Sequence, residues 1–454
     1  MSTTYDVKLG GVQYRADRAT PIYVARWRVA GKARSKSFRT KGLANAFLSD
    51  LRQAAKSGEE FDIATGLPAS MLAQESRGPS FLEFAQTYVL RRWNASAART
   101  RETDAYALLS LIPALVADIP GRPGDEELRD VLRNHALLPE KRRSPLTGEQ
   151  AAALRWLEKA SLSLASLGEA RILRGTLDAI AVTFAGSPAG ANTVRRKRAV
   201  LHHLLEHAVE LKVFPSNPLD EIKWTAPKAV TVVDPRTVVS PAQARQLLEA
   251  VAKVGRKRGR RLKALFACMY YAALRPEEAA DLRLRNCNLP ESGWGLIVLE
   301  RARPQGTKRW SNSGETHESR SLKHRADKDT REIPIPPVLV AMLREHITEH
   351  GTAEDGRIFQ TGTGGTYSSS AYSYVWQEAR RLALTPAQVA SSLAARPYDL
   401  RHAAVSLWLN AGVPAPEVAK RAGHSVDVLL RVYAKCIDGE QDHVNSKIHS
   451  ALDV

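Results

Sequence analysis

A handful of residues in the second half of the sequence have the types and spacing to act together on a phosphate ester. Arg275 closes an apolar run in Ala273-Leu274-Arg275-Pro276-Glu277-Glu278, with Glu278 three residues on. Lys323 stands in Ser321-Leu322-Lys323-His324-Arg325, Arg401 in Pro397-Tyr398-Asp399-Leu400-Arg401-His402, and His424 in Ala422-Gly423-His424-Ser425. Tyr433 follows His424 by nine residues. Arginine is a planar, permanently charged fork that matches the non-bridging oxygens of a phosphate. A histidine can donate to the same oxygens, and a tyrosine can serve as a nucleophile. With a pKa of about 10, forming its phenolate costs ~4 kcal/mol at pH 7. Neighbouring cations must offset that, or the proton must leave during attack. Each residue alone also has an ordinary reading. Arg275 and Glu278 make a helical i,i+3 ion pair worth a few tenths of a kcal/mol, Gly423-His424 a helix C-cap, and Tyr433 a half-buried core aromatic.

The whole chain is built for a polyanion. It has 454 residues, a formal charge of +18 and 25% charged residues, which suits three domains rather than a disordered tail. That surplus points to nucleic acid. The start Met-Ser-Thr-Thr-Tyr-Asp lacks a signal-peptide pattern. The run Ala264 to Leu274 is eleven residues long, against the ~20 that span a bilayer, so no membrane association and a cytoplasmic, nucleoid-associated location are expected. Cys268, Cys287 and Cys436 are too far apart for a disulfide framework or a zinc knuckle. No Walker or HExxH motif appears, and neither a metal nor a cofactor is expected.

The elements that must carry these residues follow from pattern. Residues 1–56 hold twelve Lys/Arg against three Asp/Glu. Pro21 to Val29 and Ser35 to Arg39 predict a β-ribbon turning at Gly31-Lys32, with Arg26, Arg28, Lys36 and Arg39 offered to DNA. Thr40 to Lys56 predicts a helix with Leu43, Phe47 and Leu51 inward. Ser80-Phe-Leu-Glu83 has capping-box form and opens a helical region reaching Trp224. Within it, Asn192 is expected to cap a helix to Lys212, whose first turns carry Arg195, Arg196, Lys197 and Arg198. Four bases there oppose the helix dipole, so either phosphate contact or an ordinary solvated face is the expectation. Ser240-Pro-Ala-Gln243 starts a new domain. Lys253 to Lys263 holds seven bases and no acid, and Arg256, Lys257, Arg258 and Arg260 are expected to face DNA. Strands are expected at Gly295 to Glu300, Ser319 to Arg325 and Thr330 to Ile335, with the second turn at Asp327-Lys328.

Taken in order, Arg275 with Glu278, Lys323, Arg401, Gly423-His424 and Tyr433 resemble the tyrosine recombinase (phage integrase) family. That family carries an [AG]-[LM]-R-x-x-E stretch, a Lys on a β-hairpin, H-x-x-R, G-H, and a nucleophilic Tyr about nine residues later. One position departs, because Tyr398 stands where H-x-x-R begins with His. The resemblance implies that Arg275, Lys323, Arg401, His424 and Tyr433 are catalytic, with Tyr433 attacking phosphorus and Lys323 protonating the departing 5′ oxygen. Glu278 is expected to orient Arg275, and Tyr398 to hydrogen-bond at most. His402 is expected to point away, since adjacent helical residues do not share a face.

The resulting expectation is a mainly α protein with small β-sheets. A β-rich arm-binding domain would occupy 1–76 and an all-helical core-binding domain 77–226. A linker at 227–239 would lead to a mixed α+β catalytic domain at 240–454. Its function would be site-specific recombination through a 3′-phosphotyrosine intermediate, serving integration or excision of a mobile element. A type IB-like topoisomerase, or a decayed DNA-binding regulator, is the alternative. Expected partners are double-stranded DNA at core and arm-type sites, three further copies in a homo-tetramer on synapsed DNA, and an accessory directionality factor. The tail stripe Val444, Ile448 and Leu452 could dock on a neighbouring protomer or on its own domain.

Overall fold

The computed structural model describes residues 2–15, 22–71, 78–229, 232–322, 329–436, 445, 449–450 and 452. Lys323 and Lys328, the turn at 327–328, and Val444 and Ile448 of the tail lie outside them. Contacts divide the chain into two compact units, Met1–Trp93 with Asp104–Pro227, and Asn94–Thr103 with Lys228–Val454.

The first unit begins with a three-stranded antiparallel sheet of Val7–Arg15, Ile22–Val29 and Lys32–Phe38, with Ile22–Val29 in the middle. Along that strand Ala25, Trp27 and Val29 are buried and Arg26 and Arg28 exposed, the alternation a half-solvated strand requires. The hairpin turns at Ala30-Gly31, both with positive φ (47° and 75°), as a two-residue reverse turn matched to strand twist demands. The strand Val7–Arg15 is absent from the sequence reading, because Leu9-Gly10-Gly11-Val12 interrupts its alternation and the register shifts there. The helix Lys41–Lys56 is capped by Thr40 and buries Ala44, Leu48, Leu51 and Ala54. Leu43 is 56% exposed, whereas Leu51 is buried and Phe47 packs against the core in part, as expected.

Helices follow at Phe81–Arg92, Asp125–Val131, Gly148–Ala160, Ala170–Ile180 and Ala191–Glu210. Ser80 and Glu83 do form a reciprocal capping box. The last helix is capped by Gly190 rather than Asn192, and it buries Val194, Val200, Leu201, Leu204 and Leu205.

The second unit opens at Ser240, whose capping box with Gln243 starts Pro241–Lys253. The helix Arg258–Tyr271 runs through the core, burying Leu262, Leu265, Phe266 and Met269. A three-stranded sheet places Gly295–Leu299 between Arg331–Ile335 and Cys287–Asn288. The expected strand at 319–325 is described only as Arg320–Ser321, paired with Arg301–Ala302. Helices Pro337–His350, Ser369–Ala383, Asp399–Asn410, Ala415–Ala422 and Val426–Tyr433 complete the unit. Among the described residues no helix is long and apolar enough to cross a membrane.

Candidate active site

Four short segments of the second unit bring their chemistry to one place. Two residues past the helix Arg258–Tyr271 stands Ala273, a buried non-glycine residue with φ of 49°. This reversal lets Arg275 cap the short helix Pro276–Ala280, where Glu278 accepts from the Arg275 backbone N–H at 2.8 Å and from its Nη1 at 2.6 Å. The helix Asp399–Asn410 presents Arg401 and His402. Gly423 ends Ala415–Ala422 in the left-handed conformation, φ 67°. Its N–H bonds to Lys420 O, and the His424 N–H bonds to Ala419 O at 2.9 Å, the pairing that closes a helix at a left-handed glycine. A Cβ on Gly423 would stand 2.2 Å from Arg331 Nη1. So the C-cap reading and the functional one describe the same turn. Ser425 then caps Val426–Tyr433, which buries Tyr433 completely.

The cations are held by backbone and by one acid. Arg275 Nη2 donates to Gly423 O at 2.8 Å. Arg401, 0% exposed, donates to Ala273 O, to Ala422 O, and to His424 Nε2 at 2.9 Å. Thus two guanidinium groups bind the neighbouring carbonyls of residues 422 and 423. Glu278 also accepts from Arg331, Nη1 to Oε1 at 3.0 Å and Nη2 to Oε2 at 2.7 Å, a bidentate geometry. Burial pushes the Glu278 carboxyl up, but Arg331, Arg275 and Arg401 outweigh it and hold its pKa near 2. Burial lowers the pKa of Arg401. For Arg275 burial acts in the same direction, but Glu278 reverses it.

The two imidazoles are neutral. Burial, then Arg401, brings His424 down to about 3 and His402 down to about 4. His424 Nε2 accepts from Arg401, so its single proton sits on Nδ1, which is buried and without a partner among the described residues. His402 Nδ1 lies 2.9 Å from the Tyr433 hydroxyl. Burial raises the Tyr433 pKa, only partly countered by Arg401, so its phenol rests protonated. Tyr398 is half-buried, its ring 5.1 Å from that of His402 and 6.0 Å from the Arg401 guanidinium carbon.

The structure therefore brings Arg275, Glu278, Arg401, His424, Tyr433 and Tyr398 together. One expectation changes. His402 does not point away; neighbouring helical residues diverge by about 100°, and the segments holding His424 and Tyr433 meet the helix on both sides. Arg331 was missed, although its signal is plain afterwards. The buried face of Arg331–Ile335 is Arg331, Ile333 and Ile335, so period-two reading places an arginine among core isoleucines.

The expected DNA-facing bases divide. Arg26, Arg28, Lys36, Arg39, Arg195, Arg196, Arg256, Lys257, Arg258 and Arg260 are exposed. Lys197 is instead turned inward, 9% exposed, with Nζ 3.3 Å from Val182 O and 5.5 Å from the Phe184 ring centroid. Its position one turn after Thr193-Val194 puts it on the buried stripe of its helix. Arg198 is half-buried, stacked 4.7 Å from the Trp224 ring.

No curated protein matches the chain in sequence. Among solved structures, the Tn1549 transposon integrase in complex with circular intermediate DNA is 15% identical, covering 72% of this chain and 98% of that one, with a TM-score of 0.46. XerH site-specific recombinase bound to difH substrate is 12% identical, covering 76% and 94%, TM-score 0.44. A lambda integrase tetramer bound to a Holliday junction is 12% identical, covering 91% and 95%, TM-score 0.42. The phage integrase family model matches residues 237–438, the stretch that contains Arg275, Arg331, Arg401, His402, His424 and Tyr433. Residues 237–438 are thus a phage integrase family domain.

Proposed function

We propose that the protein cuts and rejoins duplex DNA at defined sites through a 3′-phosphotyrosine bond to Tyr433. The observation that carries this is the convergence of two guanidinium groups and a neutral imidazole on one buried phenol. Arg275 and Arg401 would neutralise the non-bridging oxygens, and His424 Nδ1–H is the donor left over for them. Such aimed charges matter most where water is excluded, and removing one typically costs ~10²-fold or more in rate. Glu278 and Arg331 would orient Arg275. Lys323, by resemblance, would protonate the 5′ oxygen. The phosphotyrosine conserves the bond energy, so rejoining needs no ATP.

The exposed bases of 253–263 and of the first unit's sheet would bind core and arm-type DNA. Four protomers would act on two synapsed sites, for integration or excision of a mobile element, with an accessory factor setting direction. The test is covalent capture on a nicked duplex that lets the cleaved 5′ fragment diffuse away. Tyr433→Phe should lose the protein–DNA adduct completely while retaining DNA affinity, whereas Tyr398→Phe should lose little. An adduct formed by Tyr433→Phe would overturn the assignment. Relaxation of a plasmid that lacks any target site would favour a topoisomerase instead.

A further inference from the structure

The phenol of Tyr433 must lose its proton to become a nucleophile, and position 398, where the family has His, carries another phenol. A second phenol is a poor acceptor for that proton, because a neutral hydroxyl oxygen is far less basic than an imidazole nitrogen. The helix Asp399–Asn410, which Tyr398 caps, supplies another group. Positions 398 and 402 are one helical turn apart and share a face, and their rings lie 5.1 Å apart. The imidazole is displaced by one turn, and it reaches the phenol directly.

Resting on the DNA-cleavage reading above, we propose that His402 is the general base for Tyr433, taking the phenol proton on Nδ1 during attack and returning it during rejoining. The 2.9 Å separation of Nδ1 from the Tyr433 oxygen is already that of a productive proton transfer. As the Tyr433 oxygen bonds to phosphorus, its O–H bond breaks and the proton passes to the Nδ1 lone pair. The bond from phosphorus to the 5′ oxygen breaks, and its electron pair leaves on that oxygen, which takes a proton from the ammonium assigned to Lys323. In rejoining, the 5′ hydroxyl attacks as its proton passes to the Lys323 amine, the Tyr433 oxygen departs, and the imidazolium gives its proton back.

The surroundings decide when His402 is basic enough. It faces Arg401 on its own helix, Arg396 just before it, the Tyr398 ring, Tyr433 from Val426–Tyr433, and His424 from the preceding turn. Burial, with Arg401 and Arg396, keeps the free imidazole neutral, pKa about 4, so its lone pair is open at pH 7. A bound phosphate would cancel the field of Arg401 and raise that basicity only when DNA is present. The base therefore becomes competent with its substrate.

The experiment measures single-turnover adduct formation by the full chain from pH 5 to 9. His402→Ala should slow it by about 10²-fold or more at pH 7. The log rate of the variant should then rise with pH at close to unit slope, and added imidazole should restore part of it. His402→Gln, which keeps a hydrogen bond but cannot accept a proton, should lose as much. A 5′-bridging sulfur, which leaves without an acid, should not repair either variant. Wild-type rates in His402→Gln, or a loss in His402→Ala indifferent to both pH and imidazole, would overturn the proposal. Full repair by the sulfur substrate would overturn it too, because His402 would then serve the leaving group. Failure of the DNA reading shows separately, as adduct formation by Tyr433→Phe.

Discussion

Arginines occupy two opposite settings in this protein. On the strand Ile22–Val29, Arg26 and Arg28 alternate with Ala25, Trp27 and Val29 and stand in water. In the second unit Arg275, Arg331 and Arg401 are 8%, 2% and 0% exposed. A solvated cation is free to meet a phosphate in many geometries, but it is screened and contributes little to the fold. A buried one is fixed in place, and taking it out of water costs several kcal/mol unless good partners surround it. The partners differ accordingly. The strand arginines need none, whereas the buried three share Glu278 and the carbonyls of Ala273, Ala422 and Gly423. Surface arginines can tune binding, and the buried set must first be assembled by folding.

The sharpest way to break this contrast is Arg401→Ala. It should strand two carbonyls and His424 Nε2 and cost about 3–5 kcal/mol in denaturant titration. Arg401→Lys, which has one ammonium for three acceptors, should fold better yet lose ~10²-fold or more in adduct formation.

A smaller effect should follow from Glu278→Gln, which leaves Arg275 and Arg331 without their shared charge. The cost should be about 3 kcal/mol at pH 7. Because the folded pKa of about 2 lies below the usual carboxylate value of about 4.3, the native carboxylate stabilises fully above pH ~4.3. That advantage should shrink as pH falls, and vanish near pH 2. Unfolding free energies of the two proteins, compared across that window, check it. A gap independent of pH would mean that packing, not charge, holds the cluster.

The smallest effect belongs to the strand. Arg26→Ala with Arg28→Ala should change stability by no more than about 0.5 kcal/mol. It should also lower the slope of log affinity against log salt on a long attachment-site duplex by up to about 1.8, at about 0.9 per phosphate contact. An unchanged slope would remove these two residues from the DNA-binding surface.

What could be read in advance follows the same division. Ser80 and Ser240 were legible as caps because one side chain answers its own local backbone. The order Arg275, Arg401, His424, Tyr433 was legible because each motif is local. What stayed hidden depended on distant segments. His402 acquires its partner from thirty-one residues away, and Arg331 its partner from fifty-three. Lys197 was misplaced because charge outweighed position along the helix. The strand Val7–Arg15 was missed because its register shift erases the alternation.

The seat of Arg401 has one more consequence. Two of its three partners are main-chain carbonyls, at Ala273 and Ala422, and no amino-acid replacement deletes a carbonyl. Such a seat can be lost only by redirecting the chain, for example by relaxing the left-handed Ala273 or crowding Gly423. Side chains around it are free to drift so long as those two bends survive. Inheritance of this cation's position is thus carried by the path of the chain more than by its letters.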